Sequence, residues 1–283
     1  QEESASPRGR IALMRQAENS GMVDQTFINF MDACIQCRGC ETACPAGVPF
    51  GSMMERTREA LAEQTPYQPW WRRVAYRILG WPEILAGGSR MLAVLQRIEL
   101  LPSRVTLPKI PLIQSPLVSS GDDVWLFTGC VMDAWMRETH RAVQRVVEAA
   151  GVGVRFPNRK AACCGALHTH AGLGAAARRL AERTIAAFPG DAPILVDSAG
   201  CGAQLKEYGH LLNTPESHEF SKRVLDVHEW LENHLEALPP PRSRPPRIGI
   251  QDPCHLRHVQ RSHDSVQAVL ARYVEPVILD DDG

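Results

Sequence analysis

The sequence predicts an α+β chain in which a helical module comes first and an α/β domain with a parallel sheet follows. Three observations point that way. Residues 11–31 and 51–64 carry apolar positions at helical spacing on either side of a dense cysteine run. From residue 121 short apolar runs alternate with helical stretches, which implies parallel strands joined by right-handed crossovers. After a Pro/Arg-rich linker, LPPPRSRPP at 238–246, the strand–helix pattern restarts.

Taken in order, Ile11, Leu13, Met14, Met22, Val23, Phe27 and Ile28 suit short helices leading into the cysteine run. After Pro45 and Pro49, GSMMERTREALAEQ (51–64) reads as one helix closed by Thr65-Pro66. The stretch 66–118 is Pro-punctuated, contains Trp70, Trp71 and Trp81, and sets seven Arg/Lys against Glu83 and Glu99. It reads as a helical basic connector. Its charge and tryptophans suit a membrane surface or a partner subunit, and equally a packed connector with solvated arginines.

VWLFTGCV (124–131) is a first strand run, with a helix to Ala150 and Gly151. VGVRFP (152–157) is a second, followed by Cys163-Cys164 and an Ala-rich helix over about 171–187. PILVDSAG (193–200) is a third, ending at Cys201, with a helix to about 212. RIGIQDPC (247–254) opens the restart, then a helix to Tyr273 and the strand start PVILD. The expected units are 1–65, 66–120, 121–237 and 247–283. The last is read as the opening of a second repeat inside which the chain stops.

Composition narrows the function. The 283 residues hold 31 Lys+Arg against 32 Asp+Glu, a net charge of -1, which removes the general electrostatic case for nucleic acid as a partner. An aromatic share of 6% also disfavours a base-stacking surface. No run reaches the roughly 18 apolar residues of a membrane span, and residues 1–10 are polar, unlike a secretory signal. Nine cysteines in such a chain read as reduced metal ligands in the cytoplasm and not as a disulfide framework.

The cysteines fall into two constellations. Cys34, Cys37, Cys40 and Cys44, with Pro45, have the C-x2-C-x2-C-x3-C-P spacing of bacterial ferredoxins, in which two-residue gaps fold thiolates around one face of a cubane. In such runs the fourth cysteine serves the other cluster of a two-cluster module, so Cys34, Cys37 and Cys40 are expected to hold one 4Fe-4S cluster and Cys44 a second. A structural zinc knot is the alternative.

The second constellation is Cys130, Cys163-Cys164-Gly165 and Cys201, each expected where a strand ends, the edge at which open parallel sheets bind ligands. Thiolates gathered there suit an iron–sulfur centre or zinc, and Cys254 opens the same kind of site in the restart. The bland alternative is buried small hydrophobes. Gly172-Leu-Gly174-Ala-Ala-Ala177 fits a loose dinucleotide pattern but no strand precedes it, so close helix packing is the better account. His168, His170 and His255 flank the cysteines as proton donors, as supports for the ligands or as packing. There is no G-x-S-x-G nucleophile motif.

SPRGRIALMRQ (6–16), CIQCRGCETACPAGV (34–48), CCGALHTHAG (163–172), SAGCGAQLKEYGHLL (198–212) and DPCHLRHVQ (252–260) together make the chain similar to the glycolate oxidase iron–sulfur subunit family. More widely it resembles iron–sulfur subunits of lactate and glycerol-3-phosphate dehydrogenases and cysteine-rich subunits of heterodisulfide reductases. The resemblance implies an electron-transfer subunit that serves flavin subunits oxidising glycolate to glyoxylate, with a membrane quinone as eventual acceptor. Such a chain would lie in the cytoplasm or on the inner face of the membrane. It also implies a further ferredoxin motif before residue 6 and a second CCG element after residue 260, neither of which this sequence contains. Gln204 departs from the reductase pattern, where a C-x-x-C ending would put another cysteine after Cys201. Disulfide cleavage at Cys163-Cys164 and a zinc-stapled scaffold are the competing expectations.

Overall fold

Local capping explains the first helices of the computed structural model, which describes residues 2–65, 68–100, 107–157, 161, 163–241, 243 and 247–278. Ser6 accepts from the Gly9 amide and Pro7 occupies the first helical position of α1 (Pro7–Ser20), which Gly21 ends at φ 66°. Asp24 caps α2 (Gln25–Asp32) through the Phe27 amide at 2.7 Å. A single turn inside the cysteine run, α3 (Gly39–Thr42), precedes α4 (Phe50–Gln64). Phe27, Met31, Phe50, Met54 and Leu61 bury one another, with Cys34 and Cys40 packed against them.

The connector supplies α5 (Trp70–Leu79) and α6 (Pro82–Arg97). One side of α6 is buried at Ser89 and Ala93, and Trp135 Nε1 donates to Ser89 Oγ at 2.9 Å. No helix among the described residues is long and apolar enough to cross a membrane.

The cysteine-rich domain then runs β1 (Val124–Phe127), α7 (Val131–Trp135), α8 (Arg137–Ala149), β2 (Val154–Arg155), α9 (Ala166–His170), α10 (Gly174–Ala186), β3 (Ile194–Val196), α11 (Ala199–Lys206), α12 (Tyr208–Leu212), α13 (Pro215–Lys222), β4 (Val224–Asp226) and α14 (Val227–Glu232). All pairs are parallel in the order β2-β1-β3-β4, with Val124 opposite Val154 and Leu195 opposite both Leu126 and Leu225. Alternate residues feed two layers. Trp125, Phe127, Ile194 and Val196 pack with Phe188 and Phe220, whereas Val124, Leu126 and Leu195 pack with Val147 and Trp230. The Ala-rich helix starts at Gly174, later than its composition suggests, because Gly172 turns the chain first at φ 73°.

The restart folds as β5 (Ile248–Ile250) and β6 (Pro276–Ile278), a separate parallel pair with Ile248 opposite Pro276. The single helix expected between them is two: a π-helical turn, His255–Gln260, and α15 (His263–Ala271), divided at Arg261 with φ 56°. The order strand, cysteine, helix, parallel strand repeats that of β1, Cys130, α7 and β2.

Candidate metal centre

From β1 the chain crosses to β2 on one side and then to β3 on the other, so the connection reverses between β1 and β3. Ligands of open parallel sheets bind beyond the carboxyl ends at such a reversal. Gly129 at φ 68° turns the chain there and leaves Cys130 at the start of α7, while Cys201 lies in the first turn of α11, just after β3. Cys163-Cys164 does not sit at a strand end. It lies well past β2, in the turn where Gly165 (φ 84°) opens α9, because β2 needs only two residues to complete its ladder.

The four thiols meet in two pairs. Cys164 Sγ donates to Cys201 Sγ at 3.4 Å, and Cys163 hydrogen-bonds Cys130. Receiving that bond, Cys130 is drawn down to about 7, whereas Cys163 and Cys164 are pushed well up by holding their protons toward their partners and by burial. The Cys163 thiol also feels Cys201, which makes one cluster of the two pairs. Buried Tyr208 donates through its hydroxyl to Cys164 O at 2.8 Å. Asp197, the residue after β3, is buried against His140 Nδ1 of α8, a pair that nothing in the sequence announces.

The ferredoxin run wraps through two left-handed residues, Gln36 (φ 56°) and Arg38 (φ 59°). Such backbone costs about 1–2 kcal/mol per residue without glycine, and both positions have partners from later in the chain. Gln36 O accepts from His255 Nε2 at 3.0 Å, and Arg38 pairs with Glu41 at 2.7 Å and Glu207 at 3.0 Å. Burial raises the Cys40 thiol, and Cys37 and Cys34 beside it add to the effect. The Cys44 thiol is lowered by the backbone amides of Val48, Ala46 and Gly47.

Arg58 joins this loop to the cysteine-rich domain. Its buried guanidinium donates to the carbonyls of Met31, Asp32 and Cys34 on one side and of His170 on the other. Sequence reasoning missed it, although a signal existed: Met54, Arg58 and Leu61 share one helix face, and a charge on an apolar face needs a dedicated partner. The π-helical turn adds a second tie. The His255 ring meets His170 edge-on at 5.5 Å, Thr42 bonds His258 at 2.9 Å, and Gln260 donates to Ala199 O at 3.0 Å. Burial lowers His168 and takes His170 to about 4, so both rings are neutral near pH 7. Cys254 is exposed and is not among the partners of the four thiols. A cleft of about 440 Å³ between α4 and α11 is lined by Arg38, Glu55, Glu59, Gln204 and Glu207. Gln204 therefore fills, with an amide, the position where the reductase pattern has a thiol.

All nine cysteines are free thiols, and no three His, Cys, Asp or Glu among the described residues stand close enough to hold a single ion. Thiolates around a cubane are spaced by the cluster and not by one ion. A donor set of soft thiols on a tight loop with left-handed turns fits such a cluster. The 4Fe-4S dicluster domain family matches residues 2–49 and the cysteine-rich (CCG) domain family matches residues 124–206. Fold and site together define an iron–sulfur electron-transfer protein that carries a cysteine-rich domain.

The probable glycolate oxidase iron-sulfur subunit of Bacillus subtilis (strain 168) is 31% identical over 92% of this chain and 67% of its own length. The glycolate oxidase iron-sulfur subunit of Escherichia coli (strain K12) is 28% identical over 96% of this chain and 70% of its own. A fumarate reductase (CoM/CoB) subunit of Methanothermobacter marburgensis is 32% identical over 51% of this chain and 28% of its own. The chain belongs to the glycolate oxidase iron–sulfur subunit family. No solved structure matches it.

Proposed function

We propose that the protein is the iron–sulfur subunit of a flavin-dependent glycolate (2-hydroxy-acid) oxidase complex, taking electrons from flavin subunits and passing them toward a quinone. One observation carries this reading: the ferredoxin run is docked on the four-thiol site through Arg58 and the π-helical turn. In this assignment Cys34, Cys37 and Cys40 hold one 4Fe-4S cluster and Cys44 reaches a second. Cys130, Cys163, Cys164 and Cys201 hold a further iron–sulfur or zinc centre, and Cys254 belongs to a half-site of its own. The working units are 1–65, 66–120, 121–237 and 247–283, and the place of action is the cytoplasm or the inner face of the membrane.

Clusters at these positions would accept and release electrons one at a time. The chain's own part is to hold them and set their surroundings. Burial of Cys163 and Cys164 excludes water, and the Arg58 charge beside the Cys34 carbonyl favours a more negative, reduced centre. A second reading, disulfide cleavage at the four-thiol site, draws support from the 3.4 Å approach of Cys164 and Cys201. Gln204 in place of a further cysteine weighs against it. The test is anaerobic preparation of the chain, with iron, zinc and labile sulfide measured per polypeptide, followed by mixing with the flavin subunits and glycolate. Brown protein whose paramagnetic signals appear on adding glycolate supports the relay. Colourless, zinc-replete protein would overturn it.

A further inference from the structure

The connector carries an apolar face that nothing among the described residues covers. On α6 and the residue that ends it, Ile84, Gly87, Met91, Val94 and Ile98 recur at helical spacing on one side, and the side chains among them are exposed, Met91 by 65% and Ile98 by 55%. The opposite side of the same helix is already committed, with Ser89 and Ala93 buried against the cysteine-rich domain. Gly87 and Gly88 have open space above them. Tryptophans stand exposed at the starts of both helices, Trp70 by 76% and Trp71 and Trp81 by more than half. Arg73, Arg77 and Arg90 are exposed on the same two helices.

We infer that α5–α6 is a docking face for an anionic phospholipid surface. The inference rests on the quinone-directed reading above and deepens it by naming the surface. Interfacial helices combine an apolar face with tryptophan anchors and flanking arginines, as these two helices do. The stretch 66–118, with seven basic residues against two acidic, has the charge that complements anionic headgroups. Geometry adds a reason for the location. A cavity of about 580 Å³ is lined by Ala86, Gly87 and Arg90 of α6 and by Thr128, Gly129 and Cys130 at the four-thiol site. A lipid-dissolved acceptor needs such an opening beside the membrane.

The test uses the full chain and vesicles of phosphatidylcholine with or without phosphatidylglycerol, read by co-sedimentation and by tryptophan emission. Binding to the anionic vesicles alone, weakened by salt and accompanied by a blue shift, is expected. An arginine near such a surface is worth about fivefold in affinity, so the double variant R73E/R77E should bind at least about 25-fold more weakly. M91E should lose the blue shift while its circular dichroism and iron content match the wild type. No sedimentation at low salt, or unchanged binding by both variants, would overturn the inference, as would variants that lose flavin subunits yet keep vesicles. None of these readouts requires turnover, so a failure here stays separate from a failure of the electron-relay reading.

Discussion

Arg58 Nη1 donates to the His170 carbonyl at 2.7 Å while Nη2 of the same guanidinium reaches Cys34 O at 2.6 Å, so one side chain ties the cluster loop to the cysteine-rich domain. Removing it takes the side-chain donor away from the buried Met31 carbonyl and from the part-buried carbonyls of Asp32, Cys34 and His170. Unsatisfied buried polar groups cost about 1–3 kcal/mol each. Arg58→Met should therefore lose roughly 3 kcal/mol or more, measured by urea unfolding of anaerobic protein. Arg58→Lys should recover only part of this, since a point charge cannot span what the planar fork spans.

Gly172 lies where these two parts touch. A Cβ there would stand 2.2 Å from Arg58 O, and the residue holds φ 73°. Gly172→Ala should cost more than about 2 kcal/mol, combining left-handed strain with a backbone clash. Gly88→Ala on exposed α6 meets nothing within 4 Å and should stabilise by up to about 1 kcal/mol. Equal thermal shifts in the two variants would contradict the close approach.

Two half-buried groups oppose each other in pH. Burial raises the Glu55 carboxyl from 4.5 to about 7, with Glu207 and Glu41 adding and Arg38 and Arg58 subtracting. The folded state thus holds this proton more tightly, and stability falls as pH rises from 4.5 to 7. Burial lowers His170 from 6.5 to about 4, so its contribution moves the other way, and stability falls as pH drops from 6.5 to 4. Where the windows overlap, the two slopes offset each other. Glu55→Gln should gain on the wild type by about 3 kcal/mol between pH 4.5 and 7.5, read from urea midpoints at a series of pH values.

Cysteine replacements should separate the thiols by role. Cys164→Ser removes a buried partner of Cys201 and should lower the metal content of the cysteine-rich domain. Cys254→Ser, at an exposed position, should leave the metal content of this chain unchanged. Metal and sulfide analysis per chain distinguishes them, and a loss from Cys254→Ser equal to that from Cys164→Ser would place Cys254 in the main site.

Much of this architecture is legible in the residues. The ferredoxin spacing, the runs that become β1 and β3, and the alternation that forces parallel pairing are local patterns, and each survives in the fold. What escaped is set by distance or brevity. β4 is three residues, Val224–Asp226, and its last residue caps α14 through the His228 amide, so no apolar run marks it. The π-helical turn has no periodicity of its own, being fixed by contacts from His255 and His258 to residues more than two hundred positions earlier. The pairing of Cys130 with Cys163 and of Cys164 with Cys201 depends on the strand order, which spacing alone does not give.

That strand order also sets a sequence of events in time. Cys34, Cys37, Cys40 and Cys44 lie within one short loop and are neighbours as soon as the chain emerges. The other four thiols come from three separated segments and stay scattered until β1 has accepted β2 on one edge and β3 on the other. Because contacts far apart in sequence form late, the thiols of the run stand near one another on the nascent chain, whereas the other four gather only after β2 and β3 have paired with β1.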